Sequence, residues 1–163
     1  MKCDTIYGIL GIGSRTENRV RKIKGRTGEK PFLYLIPDAS WLPRFTSLPL
    51  PQALEGYWPG PLTMIFPSKW GGTTALRVPQ DAFLRKLTRE LGDPILSTSV
   101  NREGKPPLSR IKSIIRSFEK AVDLIVDSGD QANAVPSTIL DLTREPYRIV
   151  RKGAVDLSTL YPE

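Results

Sequence analysis

Apolar and polar positions follow two different periods along this chain, and the switches between them mark its elements. Ile6 to Leu10 reads as the end of a strand or a strand-to-helix loop, and Glu17 to Lys24 as a short basic helix with Val20 and Ile23 turned inward. The run Pro31-Phe32-Leu33-Tyr34-Leu35-Ile36-Pro37 predicts a strand bounded by prolines. Pro43, Pro49 and Pro51 then break up any long element. Leu62 to Phe66 and Ala75 to Val78 predict two further strands, and Phe83 to Leu91 a helix that begins near Asp81 and stops at Gly92. Pro94 to Leu96 reads as a short strand. Leu108 to Phe118 has helical spacing through Ile111, Ile114 and Ile115, and Val122 to Val126 reads as an apolar strand. Ser137 to Leu142 and Tyr147 to Arg151 flank Thr143-Arg144-Glu145-Pro146 as in a hairpin. Strands interspersed with helices predict an α/β fold around an open, mixed parallel and antiparallel sheet. No repeat, low-complexity tract or linker divides the chain, so residues 1–163 are expected to form one domain.

Composition narrows the chemistry. With 39% hydrophobic residues and no apolar run approaching about 18 residues, the chain reads as globular and without a membrane span. Met1 leads almost at once into Asp4 and Thr5, which shows no signal peptide and predicts a cytoplasmic protein. A single cysteine, Cys3, excludes an internal disulfide and a cysteine-built metal site, and the chain contains 0 histidines. Ser-His-Asp and Cys-His catalysis, imidazole-bound zinc and a histidine general base are therefore closed to this chain acting alone. Lysine, arginine, hydroxyls, carboxylates and oxygen-bound magnesium remain. That set suits phosphoryl or nucleotidyl transfer, which runs on position and charge more than on a protein nucleophile.

The net charge of +7 is concentrated in two segments. Residues 15–30 carry seven basic side chains against two acidic ones, and residues 102–120 six against two. Such segments suit anionic partners, a nucleotide or an RNA backbone, and equally suit solvated helix faces.

Several short motifs could serve an anionic ligand. Ser97-Thr98-Ser99-Val100-Asn101 follows the Pro94 to Leu96 strand, where hydroxyls and an amide would be held rigidly enough to grip a polar molecule; a self-satisfied turn would look the same. Lys24-Gly25-Arg26 places two cations around a glycine, as either an anion grip or a basic helix C-cap. Trp58-Pro59-Gly60-Pro61-Leu62-Thr63 is a rigid, aromatic-anchored entry into a strand whose Thr63 carries a hydroxyl. Arg77, inside the apolar run Ala75-Leu76-Arg77-Val78-Pro79, is costly to bury without a carboxylate, from either a structural ion pair or a ligand. Pro136-Ser137-Thr138 reads as a strand start, Asp127-Ser128-Gly129 as a strand-ending turn, and Arg151-Lys152-Gly153-Ala154 as a turn.

In this order, together with Asp4-Thr5-Ile6-Tyr7-Gly8 and Lys30-Pro31, these blocks resemble the YrdC-like family of threonylcarbamoyl-adenylate synthases over nearly the whole chain. The resemblance implies an open α/β fold with a concave basic cavity. It implies formation of threonylcarbamoyl-AMP and pyrophosphate from L-threonine, bicarbonate and ATP with Mg2+, for tRNA threonylcarbamoyladenosine modification completed by downstream transfer proteins. By motif, Lys24 and Arg26 would hold the ATP phosphates and act in catalysis. Thr5, Arg77, Ser97 and Ser137 would bind threonine, and Thr63, Ser99, Asn101 and Arg151 would line the nucleotide side. Because the carbamate oxygen is itself the nucleophile, the absence of histidine is consistent with this chemistry. A noncatalytic relative that binds RNA or nucleotide, with tRNA or double-stranded RNA contact through the basic segments, is the other expectation. Only Phe118 interleaves those segments with an aromatic ring suited to stacking.

The chain departs from the family pattern in three places. Leu35 stands where many relatives have a histidine, which bears on threonine selectivity. Asn101 is followed by Arg102-Glu103-Gly104 in place of the frequent Ser-Gly. Lys2-Cys3 stands in place of a Pro-Thr pair, and only three residues precede Asp4, so a strand usual in the family is expected to be missing and a sheet edge left unpaired.

Overall fold

The computed structural model describes residues 1, 3–27 and 31–161. Lys30 of the Lys30-Pro31 motif and Lys2 lie outside them. The elements run β1 (Gly8–Ile12), α1 (Glu17–Lys24), β2 (Leu33–Leu35), β3 (Leu62–Pro67), β4 (Thr73–Arg77), α2 (Ala82–Leu91), β5 (Ile95–Ser99), α3 (Ile111–Phe118), β6 (Thr138–Asp141) and β7 (Arg148–Arg151). Short 3-10 turns at Ala39–Arg44 and Gln52–Tyr57 fill the proline-broken stretch.

Local chemistry sets the helix ends. The Asp81 carboxylate accepts from the Phe83 and Leu84 N–H groups and starts α2. Helix α1 stops at Gly25, whose φ of 65° is open to glycine at little cost. Helix α3 has no cap of its own; the Ile111 N–H is met by the Asp130 carboxylate at 2.8 Å, from a later loop. It begins three residues after the predicted start because the preceding backbone is engaged elsewhere. The Leu108 N–H donates to the Val100 carbonyl at 2.9 Å, and the Ser109 carbonyl accepts from Gln131 at 2.9 Å.

The seven strands form one sheet in the order β1-β5-β2-β4-β3-β6-β7. Pairs β2·β4 and β3·β6 are parallel and the rest antiparallel, the mixed sheet expected. Register assigns the faces, since directly opposed residues share one. Tyr34, Leu76, Met64, Leu140 and Ile149 fall on one face, where they join the largest apolar core with Leu54, Trp58, Leu62 and Phe66. Leu33, Ala75, Arg77, Ser97, Ser99, Thr63, Ile65, Ile139 and Arg151 fall on the other. The serines at 97 and 99 therefore belong to β5 itself, and the strand predicted to end at Leu96 continues through Ser99.

One predicted strand is absent. Residues 122–126 have no ladder partner and no regular structure; Leu124 is 77% exposed and Asp123 is held by Arg19 at 2.8 Å. An apolar run becomes a strand only where a neighbour receives its backbone. β1 is an edge strand; among the described residues its outer side makes only the Gly8 exchange with Met1, at 2.9 and 3.1 Å.

Candidate functional site

The polar face of the sheet floors a cavity of about 480 Å³ lined by Thr5, Arg26, Thr63, Arg77, Ser97, Ser99, Ser137 and Arg151, among others. The period of two along each strand brings these residues together. It turns Ser97 and Ser99 of β5 the same way and sets them across β2 and β4 from Thr63. Eight of the ten residues singled out in the sequence share this cavity.

Arg77 is 1% exposed at the end of β4. Its Nη2 lies 3.1 Å from Asp4 Oδ1, and its Nη1 donates to Thr5 Oγ1 at 3.1 Å. Accepting from Arg77 leaves the Thr5 hydroxyl proton available for a ligand. Among the described residues, the Nε of Arg77, the Nε of Arg26 and Asp4 Oδ1 are buried without a hydrogen-bond partner, so Asp4 Oδ1 meets Arg77 as an ion pair alone. Arg26 also stacks over the Phe32 ring, 4.7 Å from its centroid.

The far wall is one bonded unit. Arg151 donates through Nε and Nη2 to the Ser137 carbonyl, at 3.0 and 2.7 Å, and through Nη2 to Ser137 Oγ at 3.0 Å. Ser137 Oγ in turn lies 2.8 Å from Thr63 Oγ1. Burial lowers the Arg151 pKa, and the nearby Arg77 charge lowers it further. Three guanidinium groups thus line one cavity with Asp4 paired to one of them, an arrangement that favours an anionic ligand.

Lys24 and Asn101 stand behind this cavity and do not line it. The Lys24 ammonium is 3% exposed and donates to Ser99 O at 2.6 Å, Asn101 O at 3.1 Å and Asn101 Oδ1 at 2.7 Å. Ser99 Oγ donates to the same Asn101 Oδ1 at 2.6 Å. All three ammonium donors are spent on fixing the end of β5. Burial brings the Lys24 pKa down to about 8, with Glu103 opposing the shift and Arg26 adding to it.

Sequence reasoning missed three contributors. Asp4 is the carboxylate Arg77 requires; the buried arginine signalled that one must exist, while only the fold shows which. The Tyr7 hydroxyl donates to the Gly129 carbonyl at 2.7 Å and accepts from the Ser128 N–H at 3.0 Å, so the turn at 127–129 is tied to the cavity wall. Cys3 lines the cavity beside Ser97, and burial pushes its thiol pKa up. Leu35 is fully buried against Cys3, Leu84 and Ile95 and does not line the cavity.

The chain is an α/β protein whose open mixed sheet carries an arginine- and hydroxyl-lined cavity on one face, a lining whose charge suits an anion. The family model described as Telomere recombination, the Sua5/YciO/YrdC domain, matches residues 1–153, and the chain belongs to that family. A threonylcarbamoyl-AMP synthase of Pyrococcus abyssi is 31% identical over 96% of this chain and 50% of its own length. One from Nitrosococcus oceani is 32% identical over 82% of each. The structure of Pyrococcus abyssi Sua5 complexed with L-threonine superposes with a TM-score of 0.85 at 26% identity, covering 97% of this chain and 51% of that one. The chain thus spans about half the length of the Pyrococcus abyssi relative. No helix among the described residues is long and apolar enough to cross a membrane.

Proposed function

We propose that this chain is an L-threonylcarbamoyladenylate synthase, a cytoplasmic nucleotidyltransferase that joins threonine, bicarbonate and ATP and hands its product to tRNA-modifying transfer proteins. The observation that carries this reading is the row of cations and hydroxyls on one sheet face: Arg26, Arg77 and Arg151 with Thr5, Thr63, Ser97, Ser99 and Ser137. A ligand bearing both a carboxylate and phosphates matches that set, whereas RNA reading would call for stacking aromatics that the cavity lacks apart from Tyr7 and Phe32.

In the proposed reaction an oxygen of threonine carbamate bonds to the α-phosphorus of ATP, and the bond to the pyrophosphate oxygen breaks. Pyrophosphate leaves with that electron pair. The chain supplies no nucleophile; it orients two anions and offsets the charge that develops between them. Arg77 and the Thr5 hydroxyl hold the threonine end, Ser97 and Ser137 flank it, and Arg26 and Arg151 meet the phosphates. Lys24 acts from behind, by holding Ser99 and Asn101. Among the described residues no three His, Cys, Asp or Glu side chains come together as a metal cage. Magnesium bound with ATP would supply charge neutralisation at the phosphates beside Arg26 and Arg151.

Purified protein with ATP, magnesium and bicarbonate is expected to release pyrophosphate only when L-threonine is added. Release that is absent, or indifferent to threonine, contradicts the reading.

A further inference from the structure

We propose that Asp4 is a positioning residue for amino-acid binding: it fixes the Arg77 guanidinium in one place on the cavity wall. This rests on the threonine reading above and adds to it a group that does not itself touch the ligand. A guanidinium on a residue 1% exposed is costly to bury unless it is paired, and Asp4 provides the ion pair, with Oδ1 3.1 Å from Nη2. The other carboxylate oxygen, Oδ2, accepts from the Gln80 N–H at 2.9 Å. One side chain thus pins both the head of Arg77 and the backbone three residues further on, where β4 has ended. The chain neighbours of Asp4 are Cys3 and Thr5, both lining the cavity, and Thr5 takes the Arg77 Nη1 bond at 3.1 Å. Nη1 is thus held by a hydrogen bond and Nη2 by an ion pair, and the guanidinium keeps one place on the cavity wall, where its charge can meet an incoming carboxylate.

Such a device fixes orientation and lowers net charge together. A bare Arg77 would attract a carboxylate more strongly at long range yet swing among rotamers; the paired one waits in a single geometry. Removing the Asp4 charge should therefore weaken the amino acid and spare the nucleotide.

The test is calorimetric titration of L-threonine, and separately of ATP with magnesium, into wild type, Asp4→Asn, Arg77→Gln and the double variant, with thermal unfolding of each. Asp4→Asn is expected to weaken threonine by ~10-fold or more, the scale of a truncated buried charge pair, while ATP affinity stays within about twofold. The double variant should bind threonine no more weakly than Arg77→Gln alone, because Asp4 acts through Arg77. Unchanged threonine affinity in Asp4→Asn, equal loss of both ligands, or additive losses in the double variant would each overturn the inference. Where Asp4→Asn does not fold, Asp4→Glu, which keeps the charge but displaces it, is judged by the same outcomes. A wild type that binds no threonine removes the functional reading and this inference with it; equal binding by wild type and Asp4→Asn removes the inference alone.

Discussion

Replacing Lys24 by methionine abolishes most threonine-dependent turnover and measurably destabilises the fold. The Asn101 carbonyl loses its donor, while the Ser99 carbonyl keeps only the Asn101 N–H and Asn101 Oδ1 only the Ser99 hydroxyl. An acceptor left unmet costs about 1–3 kcal/mol, and the end of β5 that carries Ser99 loses its tie to the end of α1. Turnover should fall by roughly 10²-fold, the scale seen when one preorganised donor is removed from an active site. Urea unfolding beside pyrophosphate release checks both effects. Wild-type stability with lost activity would mean that Lys24 contacts the ligand directly and bears no load in the fold.

The same lysine predicts opposite pH trends for activity and stability. Its folded pKa of about 8 lies below the ordinary 10.5, so the folded protein releases this proton before the unfolded chain does. Between those values the unfolded chain holds more protons, and the lysine's contribution to stability rises with pH. Activity should move the other way, since a neutral amine has two N–H donors for three acceptors. A pH profile of turnover that stays flat well above pH 8 would contradict this role.

Gly153→Ala carries the second large effect. A Cβ at Gly153 would lie 2.4 Å from the Pro136 carbonyl oxygen and 2.5 Å from the Ser137 carbonyl carbon, so backbone must move. Overpacking of this kind costs about 1–3 kcal/mol and sometimes more. The shift falls on Ser137, which holds Arg151 and Thr63, so threonine and ATP binding should both weaken. Full stability and affinity in the alanine variant would show that this wall tolerates displacement.

Much of this site was legible because its motifs sit at strand ends and helix caps, where local chemistry dictates placement. Asp81 and Gly92 delimited α2, Gly25 ended α1, and the apolar runs at 62–66 and 75–78 and the hairpin closing at 151 predicted the strands that carry Thr63, Arg77 and Arg151. Contacts between distant segments were not legible. Nothing near Lys24 in sequence says that its ammonium meets Ser99 and Asn101, and nothing beside Arg77 says that Asp4 answers it. The run at 122–126 failed for a related reason: strand propensity is local, but a ladder needs a partner that only the fold supplies.

The cavity is proposed to join threonine, bicarbonate and ATP into threonylcarbamoyl-AMP with release of pyrophosphate. Incubating the purified chain with carbon-13 bicarbonate, L-threonine, ATP and magnesium, then weighing the nucleotide products by mass spectrometry, tests it most directly. Threonylcarbamoyl-AMP carrying the labelled carbon, formed in step with pyrophosphate, is the expected result. Nucleotide products that carry no label, with or without pyrophosphate, would contradict it.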